Sequence, residues 1–376
     1  MPNKTKHFFN LQSESTAAKL KFYDLYITNY LFKIVMQFGE CLIADLFCGC
    51  GQNGDAKGSP LILLDKIIYV LNDPIIKKKW KEPKIIIYFN DKESKNIDGL
   101  CVHLKKLHLP NNVELITTCD NYGEAIRKII ENPANQSKPK FFFLDPYSYS
   151  AISIEEIKKI SALPKTEILL FIPVFFAYRF CSQKENMPQA LKDFVSSYTD
   201  KGVVDYDDFM DFMGSIVARV KDVTNEFVRP FIIEDKSSKN CLILITQHIN
   251  GLNLMNDLVW KMTGRKFGGS IKTMREIESE KNQLSMGFVV KHSAVTEVQK
   301  KLFSFMENNA SATNIDLIHY SSVNYFPLKY ANQAMSTLIK EQKIEIRRLD
   351  HDNPKSIFIN EKYSRRPSRA IFYLKK

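Results

Sequence analysis

Residues 41–60 read CLIADLFCGCGQNGDAKGSP. The apolar run from Cys41 to Phe47 enters a stretch with glycines at 49, 51, 54 and 58. Ser59 and Pro60 then offer an N-cap and a first helical residue. The order is that of a buried strand, a tight turn and a helix start. Glycines in such a turn let the backbone approach a ligand more closely than a Cβ permits, and a helix N-terminus presents free N–H groups to it.

The same alternation repeats to either side. Ahead of the turn, residues 15–37 carry apolar positions at helical spacing and predict an amphipathic helix ended by Gly39. After it, a helix is expected over 61–70. Strands are expected over 84–89, 113–117, 141–144 and 167–174, separated by helices ending near Leu107 and covering 122–131 and 154–163. Strands alternating with helices of this size specify an α/β fold, a doubly wound Rossmann-like parallel sheet. Residues 182–235 are polar and acidic and read as a helical insertion. Residues 241–246 return as an edge strand, completing a first domain over 1–265, with a linker over 266–290.

The chain has 376 residues and a formal net charge of +11. Residues 291–376 hold 15 Lys and Arg against 8 Asp and Glu, a net of +7, which leaves +4 for the much longer remainder. In that C-terminal segment helices are expected near 295–308, 314–319 and 327–342, and strands at 344–346, 357–359 and 370–374. Three helices followed by a small β-ribbon is the order of a winged helix-turn-helix, so 291–376 is read as such a domain. Arg347, Arg348, Arg365, Arg366 and Arg369 crowd its wing, as nucleic-acid phosphates would require.

Seven cysteines without a CxxC pair, and seven histidines without metal spacing, predict no metal site and a reducing, cytoplasmic setting. No apolar run approaches the roughly 20 residues of a membrane span. The run Lys77-Lys78-Lys79 reads as a solvated face, and Arg179 as an ion-pair former.

Dinucleotides and S-adenosylmethionine both use a strand–glycine turn–helix. Gly49, Gly51 and Gly54 satisfy GxGxxG, the dinucleotide spacing. Asp45 and Phe47 instead extend the motif to (D/E)xFxGxG, a methyltransferase pattern, with the carboxylate toward the amino-acid end of the cofactor. Asp91 is the first choice to accept from the ribose hydroxyls, Glu93 the second, and Asn90 stands nearest the strand end. Asp120 either reaches the adenine amino group or caps the next helix. Asp145-Pro146-Tyr147 ends the fourth strand, where base-amine methyltransferases carry (D/N/S)PP(Y/F): the acid accepts from the target amine and the aromatic stacks on a flipped base. Here a single proline is present, and Asp145 has a helix cap as its alternative. No Cys-Pro dipeptide occurs, which disfavours a cytosine C5 nucleophile.

ADLFCGCGQNGDAKGSPL and FFFLDPYSY, followed by an insertion and a basic C-terminal segment, resemble the three-Cys-motif partner proteins (TcmP). That family carries (I/L)DLFAGPG…GSP, a later FIDP and a C-terminal winged helix; Cys50 stands where it usually has proline. The resemblance implies a class I methyltransferase-like domain. It also implies association with a radical S-adenosylmethionine-type protein bearing three cysteines, in a bacterial mobile-element or defence setting.

Two functions follow. The first is an S-adenosylmethionine-dependent methyltransferase-like enzyme acting on or with nucleic acid. The second is a non-catalytic nucleic-acid-binding adaptor that partners the three-cysteine protein. An NAD-dependent oxidoreductase rests on glycine spacing alone.

Overall fold

The computed structural model describes residues 14–182, 186–234, 239–264, 266–270, 284–349, 356–364 and 366–375. The chain divides after Gln247 into two compact units.

In the first unit, seven strands form one sheet: β1 (Glu40–Asp45), β2 (Lys84–Asn90), β3 (Val113–Thr118), β4 (Lys140–Leu144), β5 (Thr166–Ile172), β6 (Phe227–Glu234) and β7 (Lys239–Thr246). Their spatial order is β3-β2-β1-β4-β5-β7-β6. The first five run parallel, with Asp45 opposite both Phe89 of β2 and Phe143 of β4. β7 is antiparallel to β5 and to β6. Right-handed crossovers in that order place connections on both faces of the sheet, which explains why β4 is buried along its whole length. The order reverses beside β1, so a crevice opens past the C-terminal ends of β1 and β4.

Helix α1 (Glu14–Phe38) covers part of one face with aromatic side chains. Phe22, Tyr23, Tyr26 and Tyr30 are all buried. Tyr23 lies 4.3 Å from Phe143 and Phe22 lies 4.6 Å from Phe231, ring to ring. Truncating either to Ala would cost about 3–5 kcal/mol. Glu167, half-buried on β5, accepts from Tyr26 Oη at 2.8 Å and Thr246 Oγ1 at 3.0 Å.

The remaining helices of this unit are α2 (Ser59–Leu71), α3 (Pro74–Lys79), α4 (Ser94–Leu104), α5 (Tyr122–Glu131), α6 (Ile154–Ser161), α7 (Val174–Cys181), α8 (Gln189–Tyr198) and α9 (Phe209–Thr224). Three expectations change. The insertion is helical only as far as Thr224: Asn225 closes α9 in a left-handed conformation, and the chain then enters β6. Residues 241–246 are not an edge strand, because β7 slots between β5 and β6. Ser59 is the first residue of α2, and the cap position belongs to Gly58. The lysine run lies exposed on the short helix α3, capped by Asp73.

The second unit contains α10 (Ile249–Thr263), α11 (Leu284–Asn309), β8 (Ser311–Thr313), α12 (Asn314–Val323), α13 (Leu328–Lys340), β9 (Ile344–Arg348) and β10 (Ala370–Leu374). The three strands form an antiparallel sheet ordered β8-β10-β9. Leu302, Met306, Leu317, Phe326, Met335 and Phe372 centre its core. Helix α10 belongs with this unit rather than before a boundary at 265. Trp260 packs into the same core and donates Nε1–H to the Tyr325 carbonyl at 2.8 Å, and Asn256 donates to Ser322 O at 3.0 Å. Most of the expected 266–290 linker, residues 271–283, lies outside the described residues, and the helix expected from 295 already begins at Leu284.

Residues 357–359 are buried but form no strand, since Phe358 adopts a left-handed backbone, φ +59°. Side-chain amides replace ladder partners there: Asn332 donates to Ile359 O at 3.1 Å and Asn314 to Phe358 O at 3.3 Å. Among the described residues, no helix is long and apolar enough to cross a membrane.

Candidate ligand cleft of the first unit

The turn after β1 is longer than the motif suggests. Residues 52–53 and 56–57 pair as a small antiparallel ladder, and Gly58 N–H closes it onto Gly51 O at 2.8 Å. Gly54, with φ +60°, sits at the tip of this hairpin, and α2 begins only at Ser59. In a dinucleotide fingerprint the third glycine brings the helix close to its strand. Here it makes a hairpin tip, so the GxGxxG spacing lacks its physical meaning.

Gly49 is needed twice over. Its φ is +61°, and a Cβ there would stand 3.3 Å from Tyr147 Oη. Its N–H donates to Asp91 Oδ2 at 3.0 Å, while Glu93 N–H donates to Asp91 Oδ1 at 2.9 Å. Tyr147 Oη adds a contact to Asp91 Oδ2 at 3.4 Å. Asp91, only 1% exposed, therefore clamps the glycine turn to the end of β2 and to the Asp145-Pro146-Tyr147 segment. Glu93 itself heads α4 from an exposed position.

Asn90 makes the next tie. Its Oδ1 accepts from Asp120 N–H at 2.9 Å and Thr118 Oγ1 at 2.8 Å, and its Nδ2 donates to Asp120 O at 3.1 Å. Asp120 is thus positioned by β2. Its carboxylate accepts from Lys128 at 2.8 Å, and the cap of α5 is Asn121, not Asp120. Phe47 stacks on Tyr122 with ring centroids 5.0 Å apart.

These residues enclose a cleft of about 270 Å³ beyond the ends of β1, β2, β3 and β4, lined by Leu46, Phe47, Asn90, Asp91, Asp120 and Tyr147. Tyr147 is 67% exposed and stands at this cleft as a flat surface.

Asp45 and Asp145 behave differently from one another. Asp45 is fully buried, and neither carboxylate oxygen has a hydrogen bond of good geometry. Burial pushes it up to about 7, with a further push from the charge of Asp145; the Ser59 hydroxyl, the Phe47 N–H and Lys19 pull it down without prevailing. A buried carboxyl group with only weak donors is costly while charged and resists ionising, a kind of group that recurs at functional sites. Asp145 caps no helix, because Ser153 forms the capping box of α6 with Glu156. It pairs instead with Lys19 of α1, Nζ to Oδ2 at 2.5 Å, and that ammonium also lies 4.2 Å from the centre of the Phe171 ring. Cys48 is buried and its thiol is pushed well above the ordinary range by burial, then by Asp45 and Asp91, which leaves it an inert thiol rather than a nucleophile.

Sequence reasoning missed Lys19, Ser59 and Tyr122 as site residues. Lys19 had a signal: it shares the apolar helix face of Tyr23, Tyr26 and Tyr30, where a charge needs a partner. The five wing arginines belong to the other unit. Arg347 and Arg366 are exposed, Arg348 donates Nε–H to Ser356 O at 2.9 Å, and Arg369 is half-buried; Arg365 lies outside the described residues. The Arg366 guanidinium stands 5.9 Å from the Tyr363 ring centre.

No protein-family model and no curated protein matches the chain. Solved methyltransferases are similar to it. One is human methyltransferase-like protein 13 in complex with SAH, at 9% identity over 62% of this chain and 82% of that one, TM-score 0.32. Another is M. capricolum TrmK in complex with SAH, described there as its natural cofactor product, at 11% identity over 82% of this chain and 97% of that one, TM-score 0.28. At such TM-scores, the case for a ligand rests on the residues of the cleft.

Proposed function

We propose that the first unit binds S-adenosylmethionine in the cleft at the ends of β1 to β4 and presents its methyl group to an acceptor beside Asp145 and Tyr147. The observation that carries this is Asp45: a fully buried carboxylate without a good hydrogen bond, directly before the glycine turn. An α-ammonium is the donor group that suits it. The position of β7, antiparallel between β5 and β6, supports a class I methyltransferase-like sheet over the all-parallel dinucleotide order.

Bound there, the cofactor supplies a methyl group on a sulfonium. Asp91 holds the turn closed through Gly49 and faces the ribose position. Asp120 and the Phe47–Tyr122 stack suit an adenine. Tyr147 and Pro146 give a flat acceptor a surface, and Asp145 accepts from its amine, so catalysis is mainly positioning. Isothermal titration with S-adenosylhomocysteine tests this. We expect saturable binding that Asp45→Asn weakens about tenfold; absence of binding to the unaltered protein overturns it.

The second unit is proposed as a winged helix that holds nucleic acid. The order α11-β8-α12-α13-β9-β10, with β10 between β8 and β9, supports that fold. Lys329, Gln333 and Lys340 are exposed along α13, the helix equivalent to a recognition helix, and Arg347 and Arg366 lie exposed nearby in sequence.

One observation favours the adaptor reading. Asp145 already holds Lys19 through Oδ2, so part of its capacity to accept from an acceptor amine is taken. On that reading the chain keeps the fold and recruits the three-cysteine partner implied by the TcmP resemblance, in a bacterial mobile-element or defence setting. Methyl transfer to any nucleic acid, abolished by Asp145→Ala with cofactor binding intact, rules it out.

A further inference from the structure

The Lys19–Asp145 pair has a chemical oddity. The ammonium is 9% exposed and the carboxylate 24%, so the pair is largely shielded from bulk water, and a second carboxyl group, Asp45, is fully buried within its electrostatic reach. Around one cation stand two carboxyl groups, of which one has the ion pair and the other lacks a good hydrogen bond. The arrangement is asymmetric: one ammonium serves one carboxyl group and leaves the other without a donor of its own.

We propose that Lys19 is a positioning residue that latches Asp145 until an amino-acid zwitterion enters the site. This rests on the cofactor reading above. The α-ammonium of the ligand goes to Asp45, and its α-carboxylate takes Lys19. Lys19 then leaves Asp145, whose carboxylate becomes free to accept from an acceptor amine. The exchange is balanced in charge: one ammonium and one carboxylate enter, the Lys19–Asp145 pair is given up, and two new pairs form. The more deeply buried partner, Lys19, exchanges one carboxylate for another and is never left alone, while Asp145, at 24% exposure, is left to water and the acceptor. The engaged Asp145 is thereby the waiting state of an enzyme. Acceptor binding becomes conditional on cofactor binding, an ordered sequence built from three side chains.

The ion pair competes with the ligand, and this gives the test its sign. Titrations of the full chain would compare S-adenosylhomocysteine with 5′-methylthioadenosine, which lacks the amino-acid end. Asp145→Asn removes the competitor for Lys19, so it should tighten S-adenosylhomocysteine about fivefold and leave methylthioadenosine unchanged. Lys19→Met should weaken S-adenosylhomocysteine about tenfold and again spare methylthioadenosine, which also verifies that the variant is folded. If the unaltered protein binds both ligands but Asp145→Asn weakens S-adenosylhomocysteine or leaves it unchanged, the latch is wrong while the cofactor reading stands. If the unaltered protein binds neither, both are wrong.

Discussion

Asp91 accepts the Gly49 N–H at 3.0 Å and the Glu93 N–H at 2.9 Å, so one buried carboxylate joins the turn after β1 to the start of α4. A charged acceptor holding two backbone donors is stronger than a neutral one, and its removal leaves both donors without it. Asp91→Ala should lower stability by about 2–3 kcal/mol in urea unfolding, with an unchanged slope, and should weaken cofactor binding in the same protein. Gly49→Ala should cost about 1–2 kcal/mol through its positive φ alone. An Asp91→Ala variant as stable as the parent would mean that the turn is held by other contacts.

The buried carboxylate of Asp45 makes a pH signature. Its folded value is about 7 against an ordinary 3.8, so between these the folded chain holds a proton that the unfolded chain has released. Stability from this group is full below about pH 4, declines as pH rises toward 7, and is level above. Subtracting the unfolding free energies of Asp45→Asn from those of the parent should isolate that decline. A flat difference across pH 4 to 7 would show Asp45 to be charged throughout.

Lys140 offers the opposite sign. It is buried at the start of β4, and its ammonium donates to Gln136 O, Lys138 O and Pro164 O at 2.9, 2.9 and 3.1 Å. Burial first, then Lys165 and Lys138, lower it to about 8 from 10.5. In that interval the unfolded chain binds the extra proton, so this group's contribution to stability rises with pH from about 8 to 10.5. Lys140→Met should remove that rise and leave three carbonyls without their donor, costing about 2 kcal/mol or more at neutral pH. A parallel pH profile for parent and variant would refute it.

The wing arginines separate by their present partners. Arg347 and Arg366 are exposed, whereas Arg348 is tied to Ser356 O. If the second unit grips phosphates, Arg347→Ala and Arg366→Ala should each weaken duplex binding and reduce the slope of log affinity against log salt by about 0.7–0.9. Arg348→Ala should instead lower thermal stability. Equal salt slopes for parent and the two exposed variants would remove these residues from the interface.

Asn314 is fully buried at the head of α12, where its Oδ1 accepts from Arg369 N–H at 2.8 Å and Ala370 N–H at 3.2 Å. Its Nδ2 donates to Phe358 O. Asn314→Ala should therefore cost about 2–4 kcal/mol and speed amide exchange at Arg369 and Ala370. Exchange rates unchanged at those two amides would count against this anchoring role.

Much of this was legible in the sequence because most of the parallel strands hold short apolar runs such as III, FFFL and ILLFI, and the turns after the first four carry glycine or an aspartate. What local pattern cannot carry is adjacency. Nothing in CLILIT distinguishes an edge strand from one inserted between two others, so the place of β7 emerged only from the pairing. β8 was missed because Ser311-Ala312-Thr313 has no apolar alternation, and residues 357–359 were misread because buried apolar residues look like a strand even when Phe358 is left-handed. At the site, Asp45, Gly49, Asp91, Asp120 and Tyr147 converge as motif spacing suggests, whereas Lys19 comes from a helix 126 residues before its partner.

The closed ladder at residues 52–57 separates two histories within one short loop. Gly49 stands against Tyr147, whereas Gly54 and Asp55 form the tip of the hairpin. Added residues at the tip would lengthen the hairpin without shifting the Gly49–Asp91 contact. The interval from Gly51 to the helix is therefore an unreliable ruler for sorting such chains by cofactor, since it measures the hairpin and not the pocket.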